Sequence, residues 1–334
     1  MPQSVAPRLG LLVLAGALVV ITLASLAWGA REIAPGVVWQ AVIDPVAGVN
    51  DHAVVRDLRL PRTVVGLVAG AALGVAGALL QGITRNPIAD PGLLGVNAGA
   101  SLAVLAAISL LGIGSAAGFV WFAFVGAALA AVIVYVVASL GWGGATPVKL
   151  ALVGAAFTAI ATSAITLVLL TDESVLAQYR FWSVGSLVNR PWSTVAVVLP
   201  FVLVGLVLAV PTGRFLNATA LGDDLARGLG QNLLVGRLMV ATSVVLLCGS
   251  ATSLVGPVAF VGLMVPHVAR MIVGPDYRWV LPYSALLGPV VLLVADVAGR
   301  LVARPAEIEA GLVVAVIGAP VLIALVRRSP EVSS

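Results

Sequence analysis

The stretch "GLVAGAALGVAGALLQG", residues 66–82, has no ionisable side chain and lies inside a longer charge-free run from 63 to 84. A helix needs about 20 mainly apolar residues to cross the hydrocarbon of a bilayer, so this run is long enough to span one. Gly66, Gly70, Gly74 and Gly77 recur every three or four residues along it, which lines one helical face with almost no side chain. Helices in lipid associate through such faces, because close backbone approach supplies the attraction that water supplies elsewhere. The pattern fits equally a tightly packed face and a surface that slides or lines a cavity.

The same ruler divides the rest of the chain. Further windows without Asp, Glu, Lys or Arg run from 9 to 30, 91 to 148, 150 to 171, 191 to 213, 238 to 269, 279 to 295 and 310 to 326. The window from 91 to 148 is long enough for two spans. That from 238 to 269 is interrupted by Gly256 and Pro257, so it reads as a full span followed by a shorter one. The expectation is an all-α polytopic membrane protein of about ten transmembrane helices, forming a single domain over 1–334. Composition agrees: 61% of the 334 residues are hydrophobic and 10% charged, with a mean hydropathy of +1.14. The bilayer is the main solvent of such a chain, which excludes the two soluble domains that length alone suggests.

An even number of spans puts both termini on one side. With the termini in the cytoplasm, that side holds ten of the 18 basic residues, a small excess in the direction of the positive-inside rule. The formal charge of +4 is spread over loops on both faces with no basic run, so a nucleic-acid partner is not expected.

Residues for bond chemistry are scarce. The chain has two histidines, His52 and His267, and one cysteine, Cys248, which gives no zinc-ligand spacing and no internal disulfide. It has no GxxxxGK[ST] loop for nucleotide phosphates. The apolar windows carry no carboxylate of the kind an ion-gradient-driven transporter needs near mid-membrane. Local roles are expected for the remaining polar residues. Gln81 reads as an interhelical hydrogen-bonding residue, and Asp296 with Arg300 at i+4 reads as an ion pair. His267 and Arg270 read as an i, i+3 pair by the headgroups, with Pro266 shaping the helix end.

Two charged stretches stand out against this background. "VVRDLRLPR", residues 54–62, places Arg56, Arg59 and Arg62 directly before a span, either snorkelling to headgroups or forming a docking patch for an acidic partner outside the membrane. "LGDDLARGLG", residues 221–230, falls in the longest expected cytoplasmic loop, about 212–236, and reads as a short amphipathic helix. Leu221, Leu225 and Leu229 line one face, Asp223 sits at i, i+4 from Arg227, and Asp223 and Asp224 occupy the first turn, where the helix dipole favours them. Lipid-binding helices usually carry Lys and Arg on the polar face; an acidic start with leucines opposite fits a groove in another protein.

Taken together, "RLPRTVVGLVAGAALGVAGALLQGITRNPIADPGLLGVNAGAS" (59–101), "FWSVGSL" (181–187), "LGDDLARGLG", the segment 256–300 and "GLVVAVIGAP" (311–320) resemble the permease subunits of iron-siderophore, haem and cobalamin ABC importers, the FecCD type. The resemblance implies the type II ABC importer permease fold. It also implies a second permease subunit, identical or related, around a central path lined by small apolar residues, in the cytoplasmic membrane of a bacterium. Two ATPase subunits would carry ATP and Mg beneath, with no cofactor on this chain, and an extracytoplasmic binding protein would deliver a ferric siderophore, or alternatively haem or cobalamin. Residue by residue, it implies ATPase coupling through Leu221, Gly222, Asp223, Asp224, Leu225, Ala226, Arg227, Leu229 and Gly230. Binding-protein docking would fall to Arg56, Arg59 and Arg300. One departure is "EIEAG" (307–311), where Glu309 stands in the place of a proline common in relatives.

Overall fold

A computed structural model describes residues 6–29, 31–46, 48–140 and 146–328. In chain order its helices are α1 (Ala6–Ala27), α2 (Pro35–Ile43), α3 (Asn50–Ala53), α4 (Leu60–Thr84), α5 (Val96–Leu111), α6 (Ala116–Ser139), α7 (Pro147–Thr171), α8 (Glu173–Ser183), α9 (Trp192–Ala220), α10 (Asp223–Gly228), α11 (Leu233–Val255), α12 (Val261–Val273), α13 (Tyr277–Val302) and α14 (Ala310–Arg328). A π-helical turn, Val54–Arg59, leads into α4. Among the described residues there is no strand. The helices α1, α4, α6, α7, α9, α11 and α13 are long and apolar enough to cross a membrane, and α5, α12 and α14 are shorter apolar helices. They fall one by one in the charge-free windows, including the pair divided at Gly256.

That division has a local cause. Gly256 caps α11 at φ +82, and a Cβ there would run into the Trp182 carbonyl oxygen, so the position requires glycine. Pro266, expected to shape a helix end, instead lies inside α12, which continues to Val273. The starts of α1 and α13 lie on a common side: the Tyr283 hydroxyl, near the start of α13, donates to Pro7 O at the start of α1. Residues 1–5 and 329–334, which carry the termini themselves, lie outside the described residues.

The centre of the fold is α4, and the glycine face decides its neighbours. A Cβ at Gly70 would stand 2.5 Å from Pro289 N of α13, and one at Gly66 2.5 Å from Leu293. At Gly74 it would overlap Ser284 O of α13, and at Gly77 the Gly262 O of α12. The contact is mutual, since a Cβ at Gly288 would strike Gly70 O. The face is therefore a packing surface, and α4 is the most buried of the long spans. Gln81, at its end, donates from Nε2 to Gly262 O and Leu263 O of α12, and its Oε1 accepts from Arg270. The interhelical role read from its isolation in an apolar run is what it performs. Cys248 is buried in the apolar core.

This packing predicts an asymmetry among glycines. Gly77→Ala should lower the thermal midpoint of the purified protein in detergent, with a cost of about 1–3 kcal/mol for an overpacked interface. Gly16→Ala in α1, where nothing lies within 4 Å of the new methyl, should leave the midpoint unchanged. Equal midpoints for the two variants would refute the packing role.

Candidate functional site

Two charged clusters sit at opposite ends of α4. At its N-terminal end, Arg62 reaches Asp296 of α13 through Nε (2.9 Å) and Nη2 (2.7 Å), and its Nη1 reaches Glu307 at 2.6 Å. Asp296 also holds Arg300 at 2.8 Å, one helical turn away, which is the ion pair expected from the i, i+4 spacing. Asp296 is completely buried, and Arg62 and Arg300 nearly so.

The remaining arginines of this cluster cap α1. The last carbonyls of a helix lack intrahelical donors and carry the negative end of its dipole. Here Arg59 Nη1 donates to Leu26 O (2.8 Å) and Ala27 O (2.7 Å), and its Nη2 to Arg31 O. Arg300 Nη1 donates to Ser25 O (3.0 Å) and Trp28 O (2.9 Å), and Arg304 Nη2 to Gly29 O (2.9 Å). The three arginines of the expected docking set are placed differently. Arg59 and Arg300 are only 5% and 2% exposed, and their donors are taken up within the chain, so neither is offered to a partner in this arrangement. Arg56 remains exposed. The π turn supplies the reason: its wider i→i+5 winding means that residues three apart no longer share a face, so Arg56 points away from the protein while Arg59 turns in. His52, expected in a loop, is buried and accepts from Val46 N at Nδ1, 3.0 Å.

At the opposite end lies α10, together with the C-terminal ends of α4 and α9 and the start of α13. Gly222 starts α10 at φ +109 and Gly230 follows it at φ +79, both left-handed backbone that favours glycine. The helix is shorter than 221–230 and divides its residues cleanly. Leu221, Leu225 and Leu229 are 64%, 60% and 63% exposed, whereas Ala226 is fully buried. The aspartates part as well. Asp224 is 98% exposed and pairs with Arg227 at 3.0 Å. The expected Asp223–Arg227 pair does not form, because Asp223 faces inward between Arg85 of the α4 cap and Arg237 of α11, each at 2.5 Å. Partial burial alone would raise the Asp223 pKa, but Arg237 and Arg85 outweigh it and hold the carboxyl below the usual carboxylate range. Neither Arg85 nor Arg237 was legible as its partner, since both become neighbours only when the loop folds back.

A third feature is a groove of about 900 Å³ along α7, lined by Ala155, Thr158, Ala159, Thr162, Ser163 and Thr166 among others. Two of its hydroxyls donate to their own helix, Ser163 to Ala159 O and Thr166 to Thr162 O. Among the described residues no three His, Cys, Asp or Glu side chains gather as a metal site.

Residues 17–328 match the FecCD transport family. The chain belongs to that family. It is 46% identical over 319 residues, 96% of this chain and 94% of the relative, to the ferric enterobactin transport system permease protein FepD of Escherichia coli (strain K12). It is 43% identical to the probable siderophore transport system permease protein YfiZ of Bacillus subtilis (strain 168), covering 85% of each chain. To the hemin transport system permease protein HmuU of Yersinia pestis it is 35% identical, covering 98% of each. Its fold superposes with a TM-score of 0.82 at 26% identity, covering 96% of this chain and 99% of the other, on an inward-facing structure assigned to the metal-chelate type ABC transporters. As a FecCD-family permease the chain is a multi-pass membrane component of a transporter.

The buried cluster yields a prediction about stability. Asp296→Asn leaves Arg62 and Arg300 without their shared counter-charge inside the protein, which costs about 3–5 kcal/mol for a broken buried pair. Glu307→Gln, at a partly exposed position with a single arginine contact, should cost about 1 kcal/mol or less. Thermal unfolding in detergent ranks the two, and an Asp296→Asn midpoint equal to wild type would show that the cluster does not hold α1 and α13 together.

Proposed function

We propose that this chain is the permease subunit of a bacterial ABC importer that carries a ferric siderophore across the cytoplasmic membrane. A second permease subunit completes the path, two ATPase subunits bind ATP and Mg, and a binding protein delivers the chelate from outside. The observation that carries the reading is the leucine face of α10. Three large apolar side chains, each more than half exposed, stand on α10 and at its two ends, outside the apolar spans, where the core of this chain does not cover them. Such a face fits a groove on a partner. Placing α10 in the cytoplasm puts both ends of the spanning set there and the Arg56 surface outside.

The relatives support the cargo. Those with siderophore, enterobactin or iron–hydroxamate in their names are 37–46% identical to this chain, against 35% for the hemin permease. The α7 groove supports a shared path: it is open along one side of a poorly buried span and adds hydroxyl groups to the small apolar lining expected from sequence. ATP hydrolysis on the partners would move α10, and the path would open alternately to either side without bond chemistry on this chain.

Leu221→Asp with Leu225→Asp should abolish co-purification of the ATPase while the permease keeps its thermal midpoint; an intact complex would sink the coupling reading. Arg56→Glu should weaken binding-protein docking about fivefold, the scale of an exposed charge pair. Unchanged affinity would remove Arg56 from the docking surface. For the whole assembly, uptake of a ferric siderophore into proteoliposomes should require ATP on the ATPase side. Uptake on a proton gradient alone, without ATPase, would overturn the proposal.

A further inference from the structure

The exposed leucines explain how α10 holds a partner but not how its movement would enter the membrane. On the other face of α10, the Asp223 carboxylate is divided: Oδ1 accepts from Arg85 and Oδ2 from Arg237. Arg85 is the left-handed residue that ends α4, with its backbone N–H on Gly82 O. Arg237 lies in the first turns of α11. We propose that Asp223 is the positioning residue that transmits displacement of α10 to α4 and α11, separately from the leucine face that docks the partner. The inference rests on the reading of α10 as the coupling helix.

Three observations carry it. The two aspartates have separate tasks, for Asp224 is directed to solvent and bonded only within α10, to Arg227. The covalent links are compliant by comparison: α10 is flanked by Gly222 and Gly230, both at positive φ with nothing within 4 Å of an added Cβ, so the chain on either side is not wedged in place. The receiving helix is stiff. Directly behind Arg85, Gln81 ties α4 to α12 through Gly262 O and Leu263 O, and the glycine face locks α4 on α13 at backbone distance. A push delivered at Arg85 therefore moves α4, α12 and α13 together, while Arg237 carries the same displacement to α11. An exposed ion pair adds little stability; what the shared carboxylate fixes is the placement of one short helix against two long ones.

The test uses the assembled transporter, permease with its ATPase and binding protein, in proteoliposomes. R85Q/R237Q should retain ATPase co-purification and lower the substrate transported per ATP hydrolysed by roughly tenfold. D223N should lower that ratio to the same extent, and combining it with R85Q/R237Q should add nothing, because the three groups act as one unit. D223R with R85D and R237D should restore part of the ratio, which a merely structural role for any single residue would not allow. A wild-type ratio in D223N or in R85Q/R237Q overturns the inference, as do additive losses. Loss of ATPase co-purification in R85Q/R237Q overturns it too, since the clamp would then belong to docking. If the double variant does not fold, single R85Q, which leaves Arg237 on the carboxylate, decides by an intermediate ratio or a wild-type one. Failure of the underlying coupling reading is distinguishable: it appears as ATPase retained by the L221D/L225D variant.

Discussion

The fold depends on the backbone approach of α4 to α13 and α12. In lipid there is no hydrophobic drive between helices, so association comes from close packing and hydrogen bonding, and both increase as side chains are removed from the contact. Gly66, Gly70, Gly74 and Gly77 remove them on α4, and Gly288 and Gly262 do so on the facing helices. Once α4 is fixed in this way, its two ends become the anchor points for the two charged clusters. Arg59 and Arg62 lie at one end and Arg85 at the other.

The two ends use charge differently, and burial accounts for the difference. At the Asp296 end the ions are out of water, where an unpaired charge is expensive, so the guanidinium donors find carboxylate or carbonyl partners and the result is rigid. At the Asp223 end the same residue types remain a third to a half exposed, so the pairing can be made and broken at small cost. A buried clamp and a solvent-accessible one thus come from one chemistry placed at two depths.

Sequence reading succeeded where a property belongs to one segment. Charge-free windows locate spans because each span must satisfy its own backbone and its own solvent, and the Asp296–Arg300 pair was legible because both residues lie on one helix. The common exposure of Leu221, Leu225 and Leu229 was legible from their four-residue spacing, although only Leu225 lies within α10. It failed where a side chain chooses between neighbours distant in sequence: Arg62 with Asp296 and Glu307, Asp223 with Arg85 and Arg237, Arg59 with the end of α1. The resemblance to a family implies docking roles for Arg59 and Arg300, while the inward placement of both, through a π turn and the unsatisfied end of α1, follows only from the fold. A small signal was available, in that α1 ends at "SLAWGA" with no basic side chain of its own to donate to its last carbonyls.

That need also bears on the composition. Lys149 is the sole lysine among the 18 basic residues, and Arg300 shows what arginine adds. Its Nε lies 3.4 Å from Asp296 O, Nη1 serves Ser25 O and Trp28 O, and Nη2 serves Ser25 Oγ and an Asp296 carboxylate oxygen. Five donors thus meet five acceptors in one plane-fixed fork. A lysine ammonium has three donors on a flexible stem and would leave acceptors unserved in a buried site. The same fork lets Arg85 and Arg237 approach one carboxylate from two helices without crowding. Arginine therefore suits both ends of α4, one because it saturates a buried helix end, the other because it can share an anion across the junction of α4, α10 and α11.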